Sequence, residues 1–157
     1  MITVIHGDMV KHLQSKDHLD AYAHQCNCFC RMGRGIAPLL AKAVPGLRAA
    51  DNFGEGDKAK LGTVSSATHP NGAVVFNVYG QYHWHAHKVA PGRNTDYAAL
   101  EKGLWRVLAD MLKDDMKTLG LPLIGCGLAG GDWDGVVFPM IEEVFNNSGV
   151  DVTIFKL

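Results

Sequence analysis

Twice in this chain a short apolar run gives way to a glycine-rich turn, and each turn opens into residues of helical spacing. The first turn is Arg31-Met-Gly-Arg-Gly-Ile36, after the run Ala21 to Cys26. The second is Gly125-Cys-Gly-Leu-Ala-Gly-Gly-Asp-Trp133, after the run Leu121 to Gly125. A strand entering a helix in this way is the unit of a parallel sheet covered by helices. Glycine also lets backbone N–H groups turn toward a ligand, and a helix start adds partial positive charge. One such turn suits one phosphate. Two at the same end of adjacent strands suit a diphosphate held from both sides, and ligands of open α/β sheets lie at the carboxyl ends of strands. The chain has no GxxxxGK[ST], which excludes a P-loop, and the GxGxxG spacing of dinucleotide sites is read as absent too. The plainer alternative is a pair of tight strand–helix connections.

The other segments agree with an alternating architecture. Ile2 to Ile5 reads as a strand. Gly62 to Thr68 and Ala73 to Tyr79 read as a hairpin around Asn71-Gly72, where both residues tolerate positive φ. Ile36, Leu39, Leu40 and Ala43 share a helical face that Pro45-Gly46 breaks, and Asp51 to Gly62 reads as loop or weak helix. Past the polar, His-rich stretch Tyr82 to Asn94, a long helix starts near Thr95-Asp96 with Tyr97, Leu100, Leu104, Val107, Leu108 and Met111 as its apolar stripe. A last helix carries Val137, Ile141, Val144 and Phe145 inward. Pro139 must lie in its first turn or bend it, and Asn147-Ser-Gly149 ends it. Val150 to Leu157 closes the chain as a strand. The expected fold is α/β, one domain over residues 1–157, with a mostly parallel sheet between helices and a hairpin near the middle.

Net charge is −1 over 157 residues, and no basic stripe with interleaved aromatics is present, so neither a nucleic-acid nor a membrane partner is expected. The apolar run before His6 is too short for a signal peptide or a membrane span, which suggests a cytoplasmic protein. Cys26, Cys28 and Cys30 alternate as CxCxC with only Cys126 elsewhere. Zinc sites pair CxxC-type knuckles with a second ligand pair, so these thiols read as small hydrophobes in a reducing compartment. His83, His85 and His87 in HWHAH suit a solvated or ligand-flanking loop better than a metal site. No metal or cofactor is expected.

Two polar residues stand at strand ends. Asp8, after Gly7, can cap a short helix from Met9 or accept a hydrogen bond from an adenine amine. Asn27 can form a turn or bind sugar hydroxyls.

The sequence resembles a macro domain over nearly its whole length. The likeness lies in Gly7-Asp8-Met9, AHQCNCFCRMGRGIAPLL, NVYGQ at Asn77 to Gln81, IGCGLAGGDW at Ile124 to Trp133, and the closing VTIFKL. It is nearest the branch of ADP-ribose-1″-phosphate phosphatases and terminal ADP-ribose glycohydrolases. The resemblance implies a three-layer α/β/α fold with a six-stranded mixed sheet and a cleft for ADP-ribose. Asp8, with Met9 beside it, would meet the adenine amine, and Asn27 the distal ribose. Gly33, Arg34, Gly35, Ile36 and Ala37, with Cys126, Gly127, Leu128, Ala129, Gly130 and Gly131, would wrap the diphosphate. Tyr79 and Gln81 would lie along the rim, and Trp133, closing the second motif, would be a ligand contact too.

The branch bears on the reaction. The glycohydrolases use a lysine and an aspartate just after GCGL. Here Ala129 follows Leu128, and the lysine's approximate place holds none, Tyr79 being nearest. The phosphatase-like relatives carry a histidine before CN, matched by His24, and an aspartate in the second loop, for which Asp132 is the candidate. The implied function is binding of ADP-ribose and dephosphorylation of ADP-ribose-1″-phosphate, with His24 carrying a proton and Asp132 orienting water. The alternatives are a reader of ADP-ribose, free or protein-linked, and a de-ADP-ribosylating hydrolase without the lysine adduct. Structurally, His24 is equally a core histidine and Asp132 a helix cap.

Overall fold

The computed structural model describes residues 1–84 and 92–157. Six strands form one sheet: β1 (Ile2–His6), β2 (Ala21–Gln25), β3 (Val64–Thr68), β4 (Val74–Val78), β5 (Thr118–Leu121) and β6 (Asp151–Lys156). Their order is β1-β6-β5-β2-β4-β3. Every neighbouring pair is parallel except β3–β4, the hairpin, so the sheet is mixed. Gly72, at a φ of 96°, donates to His69 O at 2.8 Å and closes the hairpin turn.

Alternation along β2 sends Ala21 and Ala23 into one core and Tyr22 into the other. Helix α4 (Tyr97–Lys113) and helix α5 (Phe138–Phe145) cover the first face. Leu100, Leu104, Val107, Leu108 and Met111 are buried there, as the spacing predicts, and Asp96 caps α4 by accepting from Ala99 N. On the other face lie α1 (Met9–Leu13), α2 (Ala37–Ala43) and α3 (Leu47–Asp51), with Leu13, Leu40, Val44 and Leu47 fully buried.

Three expectations shift. The fourth parallel strand is Thr118–Leu121, set back from the run Leu121 to Gly125. Pro122 has no N–H for the ladder, and Ile124 N turns back to Pro122 O at 2.7 Å. Leu39 is 58% exposed, because α2 presents Leu40 and Val44 to the sheet. The last helix is split: Trp133–Val137 is a π-helical turn and the α-helix begins at Phe138, with Pro139 in its first turn. Proline cannot donate within a helix. The wider turn before it is closed by Val137 N to Asp132 O at 3.0 Å.

Candidate functional site

A cleft of about 790 Å³ opens at the carboxyl ends of β2, β5 and β6. Both glycine turns line it: Gly33, Arg34, Gly35, Ile36 and Ala37 from the first, Gly125 to Ala129 from the second. The amides of Gly33, Arg34, Gly35 and Ile36 make no backbone hydrogen bond among the described residues, and neither do those of Gly127, Leu128 and Ala129. The second turn is nonetheless rigidly closed. Gly131 N donates to Gly125 O at 2.8 Å, and Thr95 Oγ1 donates to the same oxygen at 2.6 Å. Asn94 N and Thr95 N both reach Ala129 O. Gly125 and Gly130 hold φ of 72° and 77°, which favours glycine. Gly125, Gly127 and Gly130 fall at the spacing GxGxxG, which corrects the expectation that this spacing is absent; the turn joins β5 to α5 ahead of the parallel neighbour β6.

Asn27 lines the cleft and is also a turn former: its Oδ1 accepts from Phe29 N at 2.9 Å and its Nδ2 donates to Arg31 O at 2.7 Å. Gln81 lines the cleft through a network in which Gln25 Nε2 donates to both Gln81 Oε1 and Thr95 Oγ1 at 2.9 Å.

His24 lies at the cleft base but has no exposed surface. Its Nε2 pairs with Asn77 Oδ1 at 2.7 Å, and Cys26 Sγ is 3.5 Å from the same nitrogen. Burial, opposed by the Asn77 hydrogen bond, holds the imidazole below its ordinary value of 6.5, so it is neutral at pH 7. A sealed, neutral histidine with a fixed amide partner is a poor proton carrier. The core reading fits this side chain, and the proton-shuttle expectation is corrected accordingly.

Several expected contacts lie elsewhere. Asp132 is exposed and is not in the cleft lining; its Oδ1 caps the π-turn by accepting from Gly135 N at 3.0 Å. Its charge still reaches the cleft wall, since after burial it is the second cause that pushes the Cys126 thiol up to about 11. Tyr79 is fully buried away from the cleft. Its hydroxyl donates to Asp51 Oδ1 at 2.9 Å and pairs with Ser65 Oγ at 2.7 Å, and Lys60 Nζ stands 4.4 Å from its ring centroid. Strand alternation puts Asn77 and Tyr79 on the α3 face, which removes Tyr79 from the rim. Trp133 packs on the α4–α5 core, 5.7 Å from the Phe138 ring. Gly130 and Gly131 shape the second turn from behind and do not line the cleft. Met9 is buried core. Asp8 is the N-cap of α1, its Oδ1 accepting from Val10 N and Lys11 N, and it too lies outside the lining. Gly7 N donates to Lys156 O, which places Asp8 beside the cleft end formed by Phe155 and Leu157. His85 and His87 lie outside the described residues.

The sequence reading missed Gln25, Arg31, Trp84, Asn94, Phe155 and Leu157 in the lining. Phe155 and Leu157 were accessible in principle, because the end of a closing parallel strand belongs to the same sheet edge as the glycine turns. Cys26 and Cys28 offer no nucleophile. Burial raises Cys26 well above its usual value and Cys28 to about 11, so both stay thiols at neutral pH.

A family profile described as Macro domain matches residues 23–138, from β2 through the second glycine turn. The chain belongs to the macro domain family. This macro domain is 34% identical over 142 residues to an uncharacterized 17.5 kDa protein of the tk-vs intergenic region of Enterobacteria phage T4, covering 85% of this chain and 84% of that protein. It is 31% identical to the Homo sapiens ADP-ribose glycohydrolase OARD1, covering 99% and 91%. Its fold matches the structure of a protein of unknown function from Bacteroides thetaiotaomicron with a TM-score of 0.83 at 26% identity, over 100% and 98% of the two chains.

Proposed function

We propose that the cleft binds ADP-ribose and that this macro domain hydrolyses a phosphorylated derivative of it, ADP-ribose-1″-phosphate. The observation that carries the reading is two glycine turns whose unpaired amides line one cleft of about 790 Å³, a volume within the usual range for a small-molecule site. Amides arranged in this way suit a diphosphate. The ribose and adenine would extend to either side, toward Asn27 and toward Phe155 and Asp8. The human and bovine relatives named ADP-ribose glycohydrolase support hydrolysis of an ADP-ribose derivative. Their reaction is not carried over. The described lining side chains include no lysine and no carboxylate, so none of them supports a lysine adduct.

Phosphate-ester hydrolysis asks less of the side chains. Water attacks phosphorus, the ester oxygen leaves with a proton as the anomeric hydroxyl of ADP-ribose, and inorganic phosphate departs. The charge on the phosphoryl oxygens needs donors, which an arginine of the lining provides. Water needs orienting, and Asp132 is the carboxylate whose charge reaches the cleft wall at Cys126. His24 holds the β2–β4 floor in place through Asn77.

A second reading, ADP-ribose capture without turnover, is favoured by the sealed state of His24 and the capping role of Asp132. Phosphorus NMR of ADP-ribose-1″-phosphate incubated with the protein, with calorimetric titration of ADP-ribose in parallel, separates the two. Phosphate release that is lost in Asp132→Ala, with ADP-ribose still bound, supports the hydrolase. Tight binding with no release supports the reader, and no binding of ADP-ribose refutes both. His24→Ala is expected to lower stability before it lowers turnover per folded molecule.

A further inference from the structure

Once the amides of both turns are assigned to the diphosphate, Arg31 is left over. Among the described side chains lining the cleft, two carry a formal charge at neutral pH, Arg31 and Arg34, and both are cationic. Neither makes an ion pair among the described residues. Glu55 shares a neighbouring hollow with Arg31, and no ion pair joins them. Arg34 sits inside the first turn. Arg31 precedes it, at the Asn27 end of the cleft, because Asn27 Nδ2 holds the Arg31 carbonyl at 2.7 Å.

The guanidinium carbon of Arg31 lies 4.5 Å from the Trp84 ring centroid. Stacking on an indole fixes the guanidinium plane while leaving its N–H donors pointing outward within that plane. Such a fork matches two oxygens of a tetrahedral anion, and pairing is strongest with a phosphate monoester, which carries close to two charges. An arginine held against an indole, with no ion-pair partner among the described residues, is a charge that a diphosphate already served by the amides does not require.

We infer that Arg31, stacked on Trp84, is a specificity-determining residue that recognises a phosphate monoester on the distal ribose. The inference rests on the ADP-ribose reading of the cleft. It assigns the discrimination between ADP-ribose and its 1″-phosphate to one side chain.

The test compares ADP-ribose with ADP-ribose-1″-phosphate on wild type, Arg31→Gln, Arg31→Lys and Trp84→Ala. Affinity is read by calorimetry, and by KM wherever the phosphorylated ligand is turned over. Arg31→Gln should weaken the phosphorylated ligand about ten- to a hundredfold more than ADP-ribose, the worth of one charge-assisted hydrogen bond. Arg31→Lys should restore only part, since an ammonium keeps the charge and loses the fork. Trp84→Ala should reduce the same discrimination without removing it. Equal weakening of both ligands by Arg31→Gln, or no weakening of either, overturns the inference while wild type still binds ADP-ribose. Failure of wild type to bind ADP-ribose removes the reading on which the inference stands.

Discussion

Gly131→Ala tests whether the second glycine turn is the working part of the cleft. The backbone of Gly131 is not at positive φ, so alanine carries no conformational penalty there and its effect is steric. The added Cβ would run into the Gly125 carbonyl oxygen and lie 3.2 Å from Cys126 Sγ. That oxygen is fixed by two donors, Gly131 N at 2.8 Å and Thr95 Oγ1 at 2.6 Å, and it cannot yield without losing them. Two neutral hydrogen bonds at about 1 kcal/mol each put the loss near 2 kcal/mol. In a domain of this size that lowers Tm by about 4–8 °C. The turn that opens also carries the amides of Gly127, Leu128 and Ala129. Misaligning even one donor to a charged phosphate costs about 1.5–3 kcal/mol, so Kd for ADP-ribose should rise at least about tenfold. Thermal unfolding and calorimetric titration read the two effects separately. Gly127→Ala is the stability control, since a Cβ there meets nothing within 4 Å and Tm should hold. A Gly131→Ala protein with wild-type Tm and wild-type Kd would refute the view that this closure shapes the cradle.

Two further predictions concern buried polar and charged side chains. Lys60 and Asp51 form an ion pair at 3.4 Å with side chains 1% and 2% exposed, and Lys60 also donates to the carbonyls of Asp51 and Phe53. Lys60→Met leaves the Asp51 carboxylate buried with Tyr79 as its remaining side-chain donor, so urea unfolding should show a loss of about 3–5 kcal/mol, with part recovered in the double variant with Asp51→Asn. For His24 the sign follows from its depressed folded value. Below pH 6.5 the unfolded chain takes up a proton that the folded one refuses, so this group's contribution to stability is full above 6.5 and falls as pH drops toward the folded value. Between pH 7 and 5, His24→Gln should therefore lose less Tm than wild type; an identical slope would mean that the imidazole protonates freely in place.

Local signals in the sequence were legible because local chemistry decides them. Asp96 caps α4, Asn71-Gly72 turns the hairpin, and the two glycine turns line one cleft. What escaped depends on partners far along the chain. The start of β5 is set by Asp20, whose carboxylate accepts from the amides of Lys117 and Thr118, 97 and 98 residues away. That pairing, together with Pro122, moves the strand off the most apolar run. Tyr79 looked like a rim residue by motif, yet its face of β4 meets Asp51 and Lys60, which no spacing announces. His24 had two readings that only the position of Asn77 could separate. Arg31 was passed over because it precedes the first glycine of its turn, and its significance depends on Trp84, 53 residues later.

The same contrast limits what family membership says about the reaction. A cradle of backbone amides is nearly indifferent to side chains, so Ala129 can stand where the resemblance to the glycohydrolases implies an acid and leave the turn intact. The chemistry rests on a few side chains and can change while the cleft does not. The two reactions break different bonds, and this gives a test independent of any mutation. In ¹⁸O-labelled water, attack on phosphorus places one label in the released phosphate, where it does not exchange. Attack at the anomeric carbon, the chemistry of a glycohydrolase, releases phosphate with only its original oxygens. With Ala129 and no lysine in the described lining, turnover of ADP-ribose-1″-phosphate should give singly labelled phosphate, visible as an isotope-shifted phosphorus resonance. Unlabelled phosphate would mean that the cleft stabilises positive charge at the anomeric carbon after all, and the assignment of Asp132 and Arg31 to phosphoryl chemistry would fall with it.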